Sequence, residues 1–169
     1  ARRLPSIPAP GLRIMVRDDG SDDDTARVAA RAGDERVEVV RRRPPHARLG
    51  KGEALNDALS IVRSRCTSVS SSRAVVGVMD ADGRLDPHAI GEVRKAFAPQ
   101  EVGAVQMGVR INNRFGSLLA RMQDMEFVTF TEVFQRGRRR VRSVGMGGNA
   151  QFVRLSALDA LGPRPWTRS

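Results

Sequence analysis

Two carboxylates stand two residues apart, at Asp80 and Asp82, directly after the apolar run at residues 74–79. In an extended turn this spacing lets both side chains approach one hard cation, or lets one hold the cation while the other binds a ligand hydroxyl. Mg²⁺ and Mn²⁺ combine a few carboxylates with phosphate oxygens of a substrate, and a cation held this way neutralises a diphosphate leaving group. Asp80-Ala81-Asp82 is therefore a candidate metal site, although helix caps and solvated turns show the same pattern.

A second acidic segment, Asp18-Asp19-Gly20-Ser21, follows the apolar run at residues 12–16. Gly20 permits a tight turn and Ser21 can cap a helix, so the segment fits a plain strand-to-helix turn. It also fits a site in which one carboxylate accepts hydrogen bonds from a nucleotide base or ribose. The three aspartates at positions 22–24 favour the positive end of the next helix dipole.

Two glycine-rich segments could lie against a ligand. Gly50-Lys51-Gly52 opens a predicted helix at residues 51–65, and a lysine at a helix N-terminus suits phosphate binding. The segment is not a Walker A loop, because the earlier glycine and the following Ser or Thr are missing. Residues 145–149 (Gly-Met-Gly-Gly-Asn) predict a turn that allows close backbone approach, or only a bulge. The two histidines, His46 and His88, favour neither a zinc site nor a Ser-His-Asp triad.

The predicted elements that position these segments are short strands alternating with helices. Strands are predicted at residues 12–16, 37–40, 74–79 (buried on both faces), 102–111 and 150–153, and helices at 25–32, 51–65, 87–97, 115–134 and 156–161. This alternation predicts an α/β fold with a mostly parallel sheet. Ligands of open α/β sheets bind outside the carboxyl ends of the strands, so we expect both acidic turns at one sheet edge. Residues 136–142 predict a basic loop.

Length and composition indicate one globular domain. The 169 residues carry 29 Lys+Arg and 19 Asp+Glu, a formal net charge of +10, and only Lys51 and Lys95 are lysines. The composition excludes a collagen, a coiled coil and a disulfide scaffold, and no apolar run is long enough to span a bilayer. The single Cys66 suits a reducing cytosol. Residues 1–11 predict a loose lead-in rather than a signal peptide, and residues 12–169 form the domain.

Four segments together resemble family 2 glycosyltransferases, in order and spacing. They are Asp-Asp-Gly-Ser (18–21), Gly-Lys-Gly-x-Ala-Leu-Asn (50–56), Asp-Ala-Asp (80–82) and Gly-Gly-Asn-Ala-Gln-Phe-Val-Arg (147–154). The chain looks most like the bacterial membrane-associated branch with cellulose and hyaluronan synthase-like enzymes. The resemblance implies a GT-A fold, a nucleotide-diphospho-sugar donor such as a UDP-sugar, a saccharide or lipid acceptor, Mg²⁺ or Mn²⁺, and inversion at the anomeric carbon. It also implies polysaccharide biosynthesis in the cytoplasm, with the full-length parent at the cytoplasmic face of the plasma membrane.

The resemblance assigns roles by position. Asp18 and Asp19 match aspartates that hold the uracil and ribose, with Asp19 on the base, and Lys51 matches a basic residue near the nucleotide. Asp80 and Asp82 match the metal-binding pair, with Asp82 as the direct ligand and Asp80 also near the nucleotide. Gly148 and Asn149 match the acceptor side, while Gln106 and Glu126 look family-like without an assigned role.

The chain departs from the family pattern at both ends. No strand with a Pro-x-x-Asn-Glu-like segment precedes Asp18. The Thr-Glu-Asp segment that supplies the general base, the Gln-x-x-Arg-Trp segment and the transmembrane helices do not follow Pro165-Trp166-Thr167. We therefore expect a fragment that holds the donor half of the site and folds poorly alone, with no residue assigned as the general base and with membrane contact through the missing segments.

Three alternatives remain open at this point. A haloacid dehalogenase-like phosphatase also carries Asp-x-Asp after a buried strand, but Arg84 stands where Thr or Val is usual, and the later lysine and acidic pair is missing. A basic nucleic-acid-binding domain fits the net charge, but aromatics are only 4% of residues, so stacking platforms are scarce, and we expect no nucleic-acid partner. The third alternative is a folded remnant without activity.

Overall fold

The computed structural model describes residues 9–31 and 34–167. The helices are α1 (Thr25–Ala30), α2 (Lys51–Arg65), α3 (Ala89–Ala96), α4 (Leu118–Thr129), α5 (Arg136–Arg140) and α6 (Leu155–Ala160). The strands are β1 (Ile14–Asp18), β2 (Val37–Arg41), β3 (Val75–Val78), β4 (Ala104–Gln106) and β5 (Gln151–Arg154). These elements confirm the α/β class. Residues 1–8 of the predicted lead-in, and the predicted end of the first helix at residues 32–33, lie outside the described residues.

The chain divides into two compact units. The first contains the described residues up to 70 together with residues 85–92 and 158–167, and the second contains residues 71–84 and 93–157. In the first unit β1 and β2 pair in parallel, with Ile14 opposite Val37 and Asp18 opposite Arg41. Parallel pairing brings the carboxyl ends of both strands to one edge. The acidic turn after β1 and the arginines after β2 are therefore neighbours.

The second unit has a three-stranded sheet in the order β3-β5-β4, and both of its strand pairs are antiparallel. The mostly parallel sheet predicted from the sequence thus holds for β1 and β2 but is wrong for these three strands. The prediction that residues 74–79 are buried on both faces is also wrong, because β3 is an edge strand and Val75 is exposed. The central strand β5 is the buried one, through Gln151, Phe152 and Arg154.

The predicted strand at residues 102–111 shortens to the three residues of β4. At the far end of the predicted strand a competing interaction is present, because the Ile111 amide donates to Asp124 Oδ1 at 2.8 Å and Arg110 bonds both oxygens of the same carboxylate. The buried Asp124 carboxylate on α4 thus accepts a hydrogen bond from the Ile111 amide, which a longer strand would have paired with a neighbouring strand. Those two contacts connect residues 110–111 to the helix.

The longest helical stretch runs further than predicted. After α4 a π-helical turn, Phe130–Gln135, continues directly into α5, so residues 136–140 of the predicted basic loop are helical. Ser117 caps the start, accepting a hydrogen bond from the Ala120 amide at 3.1 Å. Within this stretch the buried side chains are Ala120 and Asp124, one turn apart. The helical spacing of Leu118, Leu119, Met122, Met125 and Val128 predicts a broad apolar face on this helix, but in the structure these side chains are largely exposed.

We expect the protein to lose stability as the pH falls from about 5 to 2. Hydrogen bonds from the Arg36 side chain and amide lower the pKa of Asp34 to about 2. Burial acts to raise the pKa of Asp18, but hydrogen bonds from Ser21 and the charge of Arg41 outweigh it and the pKa is lowered. A lowered folded-state pKa means that stabilisation is complete above the unfolded-state value of about 4 and is lost as pH falls through the folded-state value.

Urea denaturation at a series of pH values measures this loss. Asp34→Asn removes one of these carboxylates, so its free energy of unfolding should fall less steeply between pH 4 and 2 than that of the parent chain. Equal slopes for the two proteins would contradict the assignment.

Candidate functional site

The acidic turn after β1 contains one buried and one accessible carboxylate. Asp18 is only 2% exposed; its Oδ1 accepts from the Ser21 amide at 2.8 Å, and its Oδ2 lies 3.2 Å from Arg41 Nε. The Asp19 side chain is 33% exposed, and its Oδ1 accepts from Arg42 Nη1 at 2.7 Å. Asp18 thus stabilises the turn, and Asp19 keeps carboxylate surface that a ligand can reach. Their nucleotide roles stay predictions.

Gly20 gives this turn its shape. Its φ of +83° lies in the left-handed region, and a Cβ there would lie 2.9 Å from the Ala47 Cβ. Both features exclude larger side chains, so the turn packs directly on the segment after β2. Two of the neighbouring aspartates also make contacts close to the turn. Asp22 pairs with Arg48 at 2.6 Å, and Asp23 accepts from the Thr25 amide at the start of α1.

A cleft of about 440 Å³ lies beside the acidic turn, entirely within the first unit. Four of its lining residues are arginines, and the full lining is Gly20, Asp22, Arg41, Arg42, Arg43, Pro44, Ala47 and Arg48. Arg42 is buried, whereas Arg43 is exposed. Arginine guanidinium groups bind phosphate through paired donors, so the cleft suits a phosphorylated ligand. The sequence prediction identified the acidic turn but missed these arginines, whose signal was the run Arg41-Arg42-Arg43 after a predicted strand.

Helix α2 begins at Lys51, as predicted, and Lys51 is exposed there. Two other residues of the same sequence motif hold the end of the described chain. The Asn56 side-chain amide exchanges two hydrogen bonds with the Trp166 backbone, at 2.8 and 3.1 Å, and Glu53 pairs with Arg164. A Cβ at Gly52 would overlap the Thr167 carbonyl oxygen. The motif therefore anchors residues 164–167, while a nucleotide contact by Lys51 stays a prediction.

A second cleft of about 450 Å³ lies near this anchor, also within the first unit. The residues that line it are Arg42, His46, Leu49, Glu53, Asp57 and Arg164. Arg42 lies in both clefts. Its guanidinium bonds to Asp19, and its Nε lies 3.5 Å from an Asp57 carboxylate oxygen.

In the second unit the Asp80–Asp82 turn follows β3, as predicted. Asp80 is half-buried and Asp82 is exposed. The turn is closed by a hydrogen bond from the Gly83 amide to the Asp80 carbonyl at 2.9 Å. The Asn149 side-chain carbonyl accepts from the Asp80 amide at 3.1 Å. Asn149 therefore positions the acidic turn, which the sequence did not indicate, and the acceptor-side role of Gly148 and Asn149 stays a prediction.

Two glutamines clamp the glycine-rich loop that carries Asn149. Gln106 Nε2 donates to the Asn149 carbonyl at 2.8 Å, while its Oε1 accepts from the Gly147 amide at 2.8 Å. Gln135 likewise bonds both the amide and the carbonyl of Gly145, at 2.9 and 2.5 Å. The resemblance marked Gln106 without a role, and the geometry makes it a positioning residue for the loop. Gln135 gave no signal in the sequence.

The chemistry of the Asp80–Asp82 turn fits a hard divalent cation. Both side chains supply carboxylate oxygens, the donors that Mg²⁺ and Mn²⁺ prefer. Within residues 9–31 and 34–167, no group of three or more His, Cys, Asp or Glu side chains could hold a metal ion. A cation at Asp80 and Asp82 would therefore complete its coordination with water and oxygens of a bound ligand, as Mg²⁺ usually does with substrate phosphates.

Comparison with known protein families gives the class to which this chain belongs. The family described as "Glycosyltransferase like family 2" matches residues 3–168, so the chain belongs to this family and is a family 2 glycosyltransferase domain. The mixed α/β architecture with its small parallel sheet is that of a GT-A-like domain, which confirms the fold and the resemblance. Placement in the cellulose and hyaluronan synthase-like branch stays a prediction.

Several bacterial glycosyltransferases are similar to this chain in sequence. The β-monoglucosyldiacylglycerol synthase of Trichormus variabilis is 30% identical over 96% of this chain and 33% of its own length. The synthase of the same name from Synechocystis is 31% identical over 95% of this chain and 32% of its own length. An uncharacterized glycosyltransferase of Mycobacterium tuberculosis is 37% identical over 60% of this chain and 37% of its own length. The chain spans about a third of each of these relatives.

Proposed function

We propose that this chain provides donor-binding residues for an inverting, metal-assisted transfer of a sugar from a nucleotide-diphospho-sugar to a lipid acceptor. Family membership supports the reaction class. The relatives named for making β-monoglucosyldiacylglycerol support a lipid acceptor over a growing polysaccharide. A donor dissolved in water and an acceptor held in lipid meet at a membrane surface, so we place the parent protein at the cytoplasmic face of the plasma membrane.

The observation that carries the proposal is the arginine-lined cleft beside Asp19. A nucleoside diphosphate combines a base with N–H donors and a strongly anionic diphosphate. Asp19 offers the base a half-buried carboxylate, one oxygen of which already accepts from Arg42, and Arg43 is exposed on the cleft wall for phosphate oxygens. The Asp19 carboxylate can accept a hydrogen bond from uracil N3–H, and with the family resemblance this leads us to propose a UDP-sugar as the donor.

The second unit supplies the cation site of the proposed reaction. Asp80 and Asp82 would hold Mg²⁺ or Mn²⁺, which when bound stabilises the negative charge of the departing diphosphate. Asn149 and Gln106 keep the Asp80 backbone and the glycine-rich loop in place, so the carboxylates need little rearrangement. Inversion also needs a carboxylate that takes the acceptor hydroxyl proton, and we assign no residue of this chain to that step.

We expect Arg43→Gln to weaken UDP binding roughly tenfold, because a hydrogen bond to a charged group contributes about 1.5–3 kcal/mol. Titration calorimetry with UDP and with uridine measures it. The variant should lose affinity for UDP and leave any uridine binding unchanged.

Arg13→Gln is the matched control, because Arg13 is also exposed but lies outside the cleft. It should bind UDP like the parent chain. If both substitutions weaken binding equally, only the net charge matters and the cleft is not the site. If UDP does not bind the parent chain at all, the proposed donor site is wrong.

A further inference from the structure

An exposed apolar stripe runs along the long helical stretch of the second unit. Its members follow helical spacing and have exposed fractions of 74% (Leu118), 60% (Met122), 68% (Met125) and 62% (Val133). Other exposed apolar side chains in or next to the same stretch are Phe115, Leu119, Phe127, Phe130, Phe134 and Val141. So many large apolar side chains exposed on one helical stretch are uncommon on a protein face that meets only water.

The stripe lies opposite the side by which the helix packs. The packed side contains the buried residues Ala120 and Asp124, and further along Gln135 bonds Gly145. At about 100° per residue, Met122 and Met125 lie on the other side of the helix from these positions. The stripe is therefore a second apolar face, which the packing of this unit leaves uncovered.

Arginines border the stripe at both ends. Arg114 lies 4.7 Å above the Phe115 ring at its start, and α5 and the following turn add Arg136, Arg138, Arg139, Arg140 and Arg142 at its end. All of the latter five are exposed. Of the three carboxylates in this stretch, Asp124 is paired with Arg110, Glu132 is paired with Arg136 at 2.5 Å, and Glu126 is exposed next to the stripe. Arginines outnumber carboxylates between residues 114 and 142, so the surface around the apolar side chains carries a net positive charge.

We propose that this stripe binds the surface of an anionic lipid bilayer, with the helix lying in the plane of the interface. Apolar side chains that enter the headgroup region, with arginines placed beside anionic lipids, are the features of an interfacial helix. Within the described ranges, no helix combines the length and apolar character needed to cross a bilayer. A second copy of this chain is the weaker occupant, because pairing two stripes would bring their arginines together.

The exposed side chains and charges of this surface all belong to the second unit, and they do not depend on the donor chemistry proposed above. Membrane contact through the stripe would not require segments outside this chain, contrary to the expectation from the sequence.

Flotation of the full chain with vesicles tests the proposal. We expect binding to vesicles of phosphatidylcholine mixed with phosphatidylglycerol, much weaker binding to phosphatidylcholine alone, and loss of binding as salt is raised. The triple variant Leu118→Gln, Met122→Gln, Met125→Gln should weaken binding by at least about tenfold, since it removes apolar area that would enter the interface.

Leu161→Gln is the matched control, because Leu161 is 69% exposed, close to the 74% of Leu118, but lies outside the stripe. It should bind vesicles like the parent chain. Equal loss in both variants, or no binding of the parent chain to anionic vesicles, would overturn the proposal. So would sedimentation showing a dimer without vesicles that the triple variant abolishes, which would make a second copy the occupant. UDP affinity should be unchanged in the triple variant, so the outcome is separable from the donor proposal.

Discussion

Replacing Asp82 with asparagine is expected to remove the effect of Mn²⁺ or Mg²⁺ on nucleotide binding. Asp82 is exposed on a turn whose backbone is held by Asn149, so the substitution removes a negative charge with little cost to the fold. A bound cation contributes several kcal/mol when it compensates diphosphate charge. Any cation-dependent gain in UDP affinity should therefore fall to nearly nothing. Any release of nucleotide from a sugar donor should slow by roughly 100-fold or more.

The measurement is calorimetry with UDP in the presence of Mn²⁺, and again with a chelator. For the parent chain the chelator should weaken binding, whereas for Asp82→Asn it should make no difference. Glu101→Gln is the control, because it removes one exposed carboxylate of the same unit away from the turn. If Asp82→Asn keeps the full response to the chelator, the cation does not depend on this turn.

The helix α2 shows what local sequence determines. Its predicted bounds, residues 51–65, are confirmed, because the apolar spacing, Gly50 before the first turn and the absence of Pro within it all act over a few residues. The same locality placed both acidic turns after their strands. The bounds of this helix and the positions of the two turns depend on neighbouring residues and not on the packing of distant parts of the chain.

Strand pairing and burial depend on distant partners, and there the sequence prediction failed. The apolar run at residues 74–79 indicates a strand, but its position at the edge of an antiparallel sheet depends on residues 151–154. Helical periodicity likewise marks two possible apolar faces around Met122 without showing that Ala120 and Asp124 form the packed side. The arginine cleft was missed although the run Arg41-Arg42-Arg43 was visible, because the sequence does not show which of these arginines turn toward the acidic turn once β1 and β2 pair in parallel.

Replacing Arg154 with methionine is expected to destabilise the second unit more than any surface change. The resemblance placed this arginine at the end of the motif at residues 147–154, yet its side chain is 5% exposed and bonds backbone carbonyls. Its guanidinium donates to the carbonyls of Val102, Phe97 and Pro99, each at 3.0 Å, and to that of Ser72. It also lies 5.3 Å from the centre of the Phe97 ring.

These carbonyls belong to segments on both sides of β5, so one planar group connects three parts of the unit. Methionine fills much of the same volume but leaves the carbonyls without their donor, and a buried unsatisfied polar group costs about 1–3 kcal/mol. We expect a loss of about 3 kcal/mol or more, which corresponds to a fall in Tm of roughly 6–12 °C for a chain of this size. Lysine at position 154 should not restore stability, because its single ammonium group cannot reach all of the carbonyls that the planar guanidinium contacts.

Thermal unfolding of Arg154→Met beside Arg73→Met measures this difference, since Arg73 is an exposed arginine of the same unit. A fall in Tm no larger than that of Arg73→Met would mean that the carbonyls find water or other donors. Calorimetry below the melting range tests whether Arg154 affects ligand binding as well as stability. Folded Arg154→Met should bind UDP, with and without the cation, as tightly as the parent chain. Asp82→Asn should show the opposite result, with an unchanged Tm and no response to cation. This crossed pattern would assign the two residues to different tasks although both belong to family-like segments: Arg154 to holding the sheet together, and Asp82 to binding the ion.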